Sequence, residues 1–306
     1  MKKFFLNALL LGFSAATLMA QEEEQDIAQD VLADTVARDT TYWQSEFSAG
    51  LNFNQAGFSS NWKAGGVNSV AFGSIIAGKA LYQKDRVTWD NELELLFGIV
   101  RNEGEQTRKS NDRIFLDTKL GYSLSRSWSA FFSLNFLSQF AEGYEYNADG
   151  TRSLISDFMA PGFLTSSLGL EFKPSQEFSL RIGPFSPRFT FVNNPDIINN
   201  VPTNYGVHEG ESVRMEWLAM QLFANFDKNI TDNFNIKSRY MMYANYETLA
   251  WDTIDHRLDV TLTAKITDFI NVTLTSISLY DIDQDPGIQY SQALALGILY
   301  KVNNKK

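Results

Sequence analysis

The chain contains no cysteine, so neither a disulfide framework nor a thiolate metal site is available to it. Histidine is scarce as well, with two residues in the whole sequence. A long apolar run is also missing near the start: the stretch from Phe4 to about Phe13 falls far short of the roughly 20 residues a membrane-spanning helix needs. Positive charge is outweighed by negative, with a formal net charge of -10 that becomes -12 once Lys2 and Lys3 are set aside, which argues against a nucleic-acid partner. What the chain does have is aromatic residues, 14% of the total, combined with a mean hydropathy of only -0.21. An ordinary apolar core raises both quantities, whereas an apolar outer belt around a polar interior raises one without the other.

The first residues carry address information. Lys2 and Lys3, the apolar stretch, and small residues ending at Ala20 form a secretory signal peptide over 1–20, with cleavage expected before Gln21. Residues 21–41 follow as an acidic, aromatic-free segment, expected to be a flexible periplasmic arm, with a short helix from about Gln25 to Val36 as the competing reading.

From Tyr42 the pattern changes to period two and stays there. Trp43, Phe47, Ala49, Leu51 and Phe53 fall on one face of the first segment, with Gln44, Glu46, Ser48, Gly50 and Asn52 on the other. Successive side chains of a strand point to opposite faces, so this is a strand with one apolar and one polar side. About twelve such segments recur, near 43–55, 67–82, 86–100, 112–125, 128–141, 162–173, 178–192, 213–227, 234–246, 255–266, 269–280 and 289–302. Most exceed the ~5–6 residues of a typical soluble strand. Joins after even-numbered segments are tight, such as 83–85 and 126–127; joins after odd-numbered ones are longer, at 56–66, 101–111, 142–161, 193–212, 247–254 and 281–288. Alternating short and long joins mark an up-and-down barrel in an outer membrane, and a β-sandwich gives no reason for the asymmetry. Lipid cannot satisfy a free sheet edge, so the first and last strands must pair. The expected fold over 42–306 is therefore all-β: a closed antiparallel transmembrane β-barrel of about 12 strands, with short periplasmic turns, long outer loops and both termini periplasmic.

The stretch Asn54 to Gly66, "NQAGFSSNWKAGG", becomes the first outer loop, with Gly65 and Gly66 free to take positive φ where the chain turns back. Asn61 and Trp62 sit within it, the indole either anchoring at the membrane rim or folding toward the lumen. Together with "YQKDRVTWDNELELLFG", "RKSNDRIFLDTKLGYSLS", "SQFAEGY" and "GPFSPRFTFVNN", this stretch resembles a large family of uncharacterised Bacteroidetes proteins. That family is defined by an Asn-Trp-x-x-Gly-Gly motif and known only as a domain of unknown function. The resemblance implies an outer-membrane barrel of a Gram-negative bacterium and brings no activity, substrate or catalytic residue with it.

Chemistry by the usual routes is thinly represented. His208 lies in a long loop beside Glu209 and Glu211, and His256 opens a strand on its apolar-side face; neither sits in a nucleophile motif of a hydrolase. "DIDQDPG", Asp281 to Gly287, alternates three carboxylates in the manner of a calcium loop but lacks the later bidentate glutamate, and a plain polar loop accounts for it. No catalytic residue, metal site or cofactor is expected.

The charges on the polar face are the informative set. One strand offers Asp90, Glu92 and Glu94, and its neighbour Arg113, Asp117 and Lys119. Arg181, Arg214 and Glu216 follow, then Lys237 and Arg239, then Arg257 and Asp259, with Glu171, Lys173 and Lys265 adding to them. Facing lipid at midplane a Lys or Arg costs roughly 2–4 kcal/mol, so these residues must line the lumen. Either they separate into acidic and basic walls around water and make a pore, or they pair across a narrow barrel into a closed core. Twelve strands enclose more room than the eight or so whose interior side chains can fill, which favours a narrow porin or channel for small polar solutes. Pro184 and Pro187 in "GPFSPRF" interrupt the seventh segment, because proline cannot donate to a ladder, and imply a bulge or inward fold there, with the loop after it either dipping into the pore as a constriction or remaining a mobile surface loop. A non-conducting structural or assembly subunit is the second expectation and a lipid-modifying hydrolase using His208 or His256 the third. Expected partners are outer-membrane lipid and lipopolysaccharide, a small polar solute, and other envelope proteins through the N-terminal arm, with no nucleic acid.

Overall fold

The computed structural model describes residues 42–304 except 60, 62, 64, 65, 148, 202 and 269. The signal peptide, the acidic arm, Trp62 and Gly65 lie outside the described residues.

Sixteen strands make up the described chain: β1 (Trp43–Ala56), β2 (Ser69–Lys84), β3 (Val87–Asn102), β4 (Arg108–Ser123), β5 (Trp128–Ser138), β6 (Gly143–Tyr146), β7 (Arg152–Ser156), β8 (Gly162–Phe172), β9 (Phe178–Phe185), β10 (Arg188–Phe191), β11 (Val213–Glu216), β12 (Ala219–Thr231), β13 (Phe234–Asn245), β14 (Asp255–Lys265), β15 (Ile270–Asp281) and β16 (Asp285–Asn304). Twelve of them close an antiparallel ring in the order β1-β2-β3-β4-β5-β8-β9-β12-β13-β14-β15-β16, with β16 returning to β1. Strands of alternating polarity close in this way because every backbone donor then finds a partner while one face collects the apolar side chains. Phe47, Leu51, Phe72, Leu120, Phe132, Leu168, Leu296 and Ile298 all remain exposed on the outer surface. Trp43, Tyr82 and Trp89 cluster at the short-turn rim, with ring centroids 5.3 Å apart for Trp43–Tyr82 and 5.7 Å for Trp43–Trp89, and Trp128 meets Phe172 at 5.0 Å on the same rim.

Turn chemistry explains the tight joins. Asp85 sits at φ 53 between β2 and β3, a left-handed position that aspartate tolerates better than most residues. In the first long loop Gly66 has φ 141, and a Cβ there would run into the ring of Phe58, so the position requires glycine twice over. Asn61 accepts a hydrogen bond from the Ser59 hydroxyl at 2.6 Å in the same loop. Two joins read as long are short: β3 and β4 extend their ladder so that only 103–107 remain between them, and β15 and β16 are separated by 282–284 alone. The asymmetry between rims is carried by 57–68, 139–161, 192–212 and 246–254.

The seventh and eighth segments are each broken in two. Ser186 and Pro187 separate β9 from β10, with the Ser186 hydroxyl donating to the Gly183 carbonyl at 2.9 Å and its backbone N–H to Ala219 at 2.7 Å. Trp217 and Leu218, both exposed, separate β11 from β12. Beyond the break, β10 pairs with β8 and β11, while β12 continues beside β13. The β10–β11 hairpin thereby continues the sheet from β8, and its Arg188 and Glu216 meet Asp255 of β14 and Asn245 of β13 through side chains.

The connection that follows β10 carries the five-residue helix α1 (Asp196–Asn200) and folds onto the 139–161 loop with its β6–β7 hairpin. Ala160, Val192, Ile197, Val201 and Val207 form a small buried apolar cluster here, with Leu154, Ile155 and Tyr205 packed against it. Asn200 Nδ2 donates to the Leu154 carbonyl at 2.8 Å, and the Tyr205 hydroxyl donates to that of Ile155. Together the two loops cap the long-loop end. No helix among the described residues is long and apolar enough to cross a membrane.

The closing seam differs from the other ladders. β1 and β16 pair only from Ser45–Asn52 to Gly297–Asn304, and toward the long-loop rim β16 keeps β15 as its neighbour while β1 keeps β2. At the point of divergence a Cβ on Gly297 would collide with the Asn52 side chain and the Leu51 carbonyl.

Two outcomes follow for the cap. Ile197 is fully buried, so Ile197→Ala should cost about 2–5 kcal/mol locally and speed hydrogen exchange over 193–212 while leaving β1–β4 protected. Unchanged exchange there means the cluster does not hold the cap. Burial, with the Asp281 charge adding to it, pushes the Tyr205 phenol up to about 12, above the ordinary value of about 10. The neutral phenol therefore stabilises the fold fully below pH ~10, and that contribution is lost as pH rises through about 12. A difference titration at the phenolate absorbance against Tyr205→Phe measures it.

Candidate functional site: an ion network across the lumen

Apart from Lys173 and Lys265, which lie by the short turns, the charged residues expected on the inner face are each engaged in an ion pair. On β3 and β4 the ladder sets Asp90 opposite Lys119, and these pair at 2.9 Å. The same register sets Glu92 opposite Asp117, two like charges, and the structure resolves the conflict by pairing each with a cation on another strand, Glu92 on the opposite wall and Asp117 three strands away. Glu92 reaches Arg239 at 2.8 Å and Lys237 at 3.1 Å on β13; Asp117 reaches Arg181 at 2.7 Å on β9. Glu94 meets Arg113 at 3.3 Å, and Arg113 continues to Asp259 of β14 at 2.9 Å, where Arg257 also binds at 2.9 Å. Lys119 is held by Glu171 of β8 at 2.6 Å.

The geometry is that of a flattened barrel. In a ring of twelve, β3 lies six strands from β13 and β4 six strands from β14, so the Glu92–Arg239 and Arg113–Asp259 pairs span the full width. Lys79 of β2 similarly faces Asp227 of β12 at 3.7 Å near the short-turn rim. Among the described residues, Asp90, Glu92, Glu94, Asp117, Glu171 and Asp259 balance Arg113, Lys119, Arg181, Lys237, Arg239 and Arg257 in this layer. Aromatic rings fill the space between them. Phe115 is wholly buried under the Arg239 guanidinium at 4.1 Å, and Phe223 lies 4.8 Å from that of Arg181. The expectation that twelve strands leave the lumen open is thus corrected for this layer: long side chains from opposite walls meet and fill it.

The network divides the interior into two lobes of different character. Toward β5, β8 and β9 even the small polar side chains are buried, Ser133 at 3% and Ser167 at 2% exposure. Toward β15, β16, β1 and β2 the inward positions are the small residues Thr273, Thr275, Ser291, Ala293, Ser48, Gly50 and Ala77; Gly50 is buried, and Ser291 and Ala293 are exposed on the stretch of β16 that lies beyond its ladder with β1. On the long-loop side of the network a further layer joins Arg214 and Glu216, both expected from alternation, to Arg188, Asp255 and Asp283, which alternation did not disclose. Arg188 pairs with Glu216 at 2.9 Å and Asp255 at 2.7 Å and lies 3.7 Å over the Tyr243 ring. Arg214 pairs with Glu216 at 3.2 Å and with Asp283 at 2.6 Å. Arg188 was hidden by the break beside Pro187, which ends the alternation just before it. Phe115 and Phe223 were hidden by their chemistry, although parity alone places Phe115 with Arg113 and Asp117.

The remaining candidates fall elsewhere. His208 is exposed in its loop, and His256 Nδ1 lies 2.7 Å from the Tyr240 hydroxyl, on the face of β14 shared with Leu258. In the 281–287 turn the Asp281 carboxylate accepts from Gln284 and from the Asp283 backbone, and Asp285 accepts from Gly287. No grouping of three or more His, Cys, Asp or Glu among the described residues is arranged to hold a metal ion. Lys173 is exposed by its turn, and Lys265 pairs with Asp268.

A family model described as "Protein of unknown function (DUF3078)" matches residues 53–144, from the end of β1 into β6. No curated protein matches the chain. Solved structures of similar fold include an outer membrane channel from Pseudomonas putida F1, at 10% identity and a TM-score of 0.37 over 85% of this chain and 94% of that one. The NanC porin aligns at 8% identity and 0.36, covering 83% and 97%, and the translocator domain of the autotransporter NalP from Neisseria meningitidis at 12% and 0.33, covering 87% and 91%. At such identities no site residue transfers from them.

Removing one member of a buried pair leaves the other charge uncompensated, at a cost of about 3–5 kcal/mol. Glu92→Gln should therefore lower stability by about that amount in urea unfolding of the folded barrel, as should Arg239→Gln. The double variant should cost clearly less than the two combined, because each change removes the partner the other strands. Strict additivity would show that the pair does not couple the opposite walls.

Proposed function

We propose that the protein is an outer-membrane channel of a Gram-negative cell envelope that passes small polar solutes off-centre, through the lobe bounded by β15, β16, β1 and β2. The long loops face outward and both termini the periplasm, so the 21–41 arm is available to other envelope proteins while the apolar exterior sits in lipid and lipopolysaccharide. The observation that carries this reading is the size of the inward side chains: Ser48, Gly50, Ala77, Thr273, Thr275, Ser291 and Ala293 in this lobe are all small, and none reaches the far wall as the long side chains of the ion network do. The ion network acts as a fixed strut, and the flank it turns to the open lobe sets the ion preference, with Glu92 and Glu94 on one wall and Arg257 and Asp259 on the other.

The same network favours a second reading, a non-conducting structural subunit, because it fills most of the cross-section. Single-channel conductance in a planar bilayer separates the two. The channel should give steady openings that Ser291→Trp and Ala293→Trp reduce severalfold, whereas Ser167→Ala in the packed lobe leaves them unchanged. A folded barrel that stays silent removes the channel reading and leaves the structural one.

A further inference from the structure

On the long-loop side of the ion network, beneath the β10–β11 hairpin, lies a cavity of about 220 Å³. It is larger than the ~150 Å³ cavity that admits a benzene ring, so a six-membered ring with substituents fits its scale. Three of its lining side chains carry polar atoms with no hydrogen-bond partner: Nε and Nη2 of Arg113, Nδ2 of Asn135 and the hydroxyl of Tyr243. All three are more than nine-tenths buried, at 6%, 7% and 6% exposure. Such groups ordinarily have partners, because an unpaired buried donor costs about 1–3 kcal/mol.

We propose that this cavity binds a neutral polyhydroxylated solute of monosaccharide size. The three unpartnered groups all donate, so the ligand must present acceptors. It must also present donors, because the Asp255 and Asp281 carboxylates line the same cavity. An anion is disfavoured: Arg188 is already held by Glu216 and Asp255, and Arg113 and Arg257 by Asp259, so no guanidinium there carries spare charge. Leu137, Phe163, Met241, Ile277 and Leu279 supply apolar wall for the C–H face of a sugar ring. Hydroxyl groups that both donate and accept satisfy this lining, and neither a carboxylate nor an ammonium ion does. The β15 residues of the cavity adjoin the open lobe, so access by that route rests on the channel reading, whereas binding itself does not.

Calorimetric titration of the refolded full chain in detergent micelles, with D-glucose, D-gluconate and D-glucosamine as probes, tests the site. D-glucose should bind saturably and more tightly than either charged analogue. Tyr243→Phe and Asn135→Leu, each removing one donor with little change of shape, should each weaken it about three- to tenfold. Preference for gluconate or glucosamine, or affinity unmoved by both substitutions, overturns the assignment, as does an absence of saturable heat in a barrel shown to be folded by circular dichroism. Conductance is read separately on the same preparation: glucose binding in a silent barrel removes the channel and keeps the site, and conduction without binding does the reverse.

Discussion

Opposite charges meeting across the full width of the barrel are the constraint on which the rest depends. A ring of twelve strands has freedom to be round or flat, and nothing in backbone pairing alone decides between them. Glu92 to Arg239 and Arg113 to Asp259 fix two opposite walls at the reach of one arginine and one carboxylate. Charges this deeply buried are tolerated only when paired, so the walls cannot separate without exposing several ions at once. The flattening then dictates where everything else goes: aromatic rings into the gaps beneath the guanidinium planes, small polar residues sealed on one side, and space left on the other.

Much of this architecture was legible in period two. The twelve segments, their apolar outer face and the identities of the inner charges follow from alternation, because lipid and lumen impose opposite demands on neighbouring residues. Alternation assigns a face and says nothing of the distance to the far wall. It therefore left both readings of the charges open, and the count of strands pointed toward the emptier one. Asp85 and the proline pair at 184 and 187 were informative because each acts through local backbone geometry. The loops at 103–107 and 282–284 were overestimated for the converse reason: Arg108 and Asp285 are polar enough to suit a loop, yet they continue ladders whose neighbours are already in place.

The division of labour between apolar and polar contacts is inverted relative to a water-soluble domain. The outer belt of Phe, Leu and Ile remains exposed, the middle of the molecule is ionic, and a buried apolar cluster of Ala160, Val192, Ile197, Val201 and Val207 holds two loops rather than the body. Stability of the body and stability of the cap consequently rest on different physics. Salt and buried charge govern the first; packing governs the second. Substitutions in the cap can retune the mouth without disturbing the strut below it.

The short ladder between β1 and β16 sets the closing seam apart from every other wall contact. Every other wall contact of the ring joins strands that are close in sequence, so hairpins can form and accrete one after another. The seam alone must bring Ser45 to Asn304, which is the most expensive loop to close in chain entropy, and it does so over a limited stretch that ends where Asn52 meets Gly297. Gly297 stands at the end of that ladder, where any side chain would strike Asn52 and the Leu51 carbonyl, so the reach of the only sequence-distant contact in the ring is bounded by a residue without a Cβ.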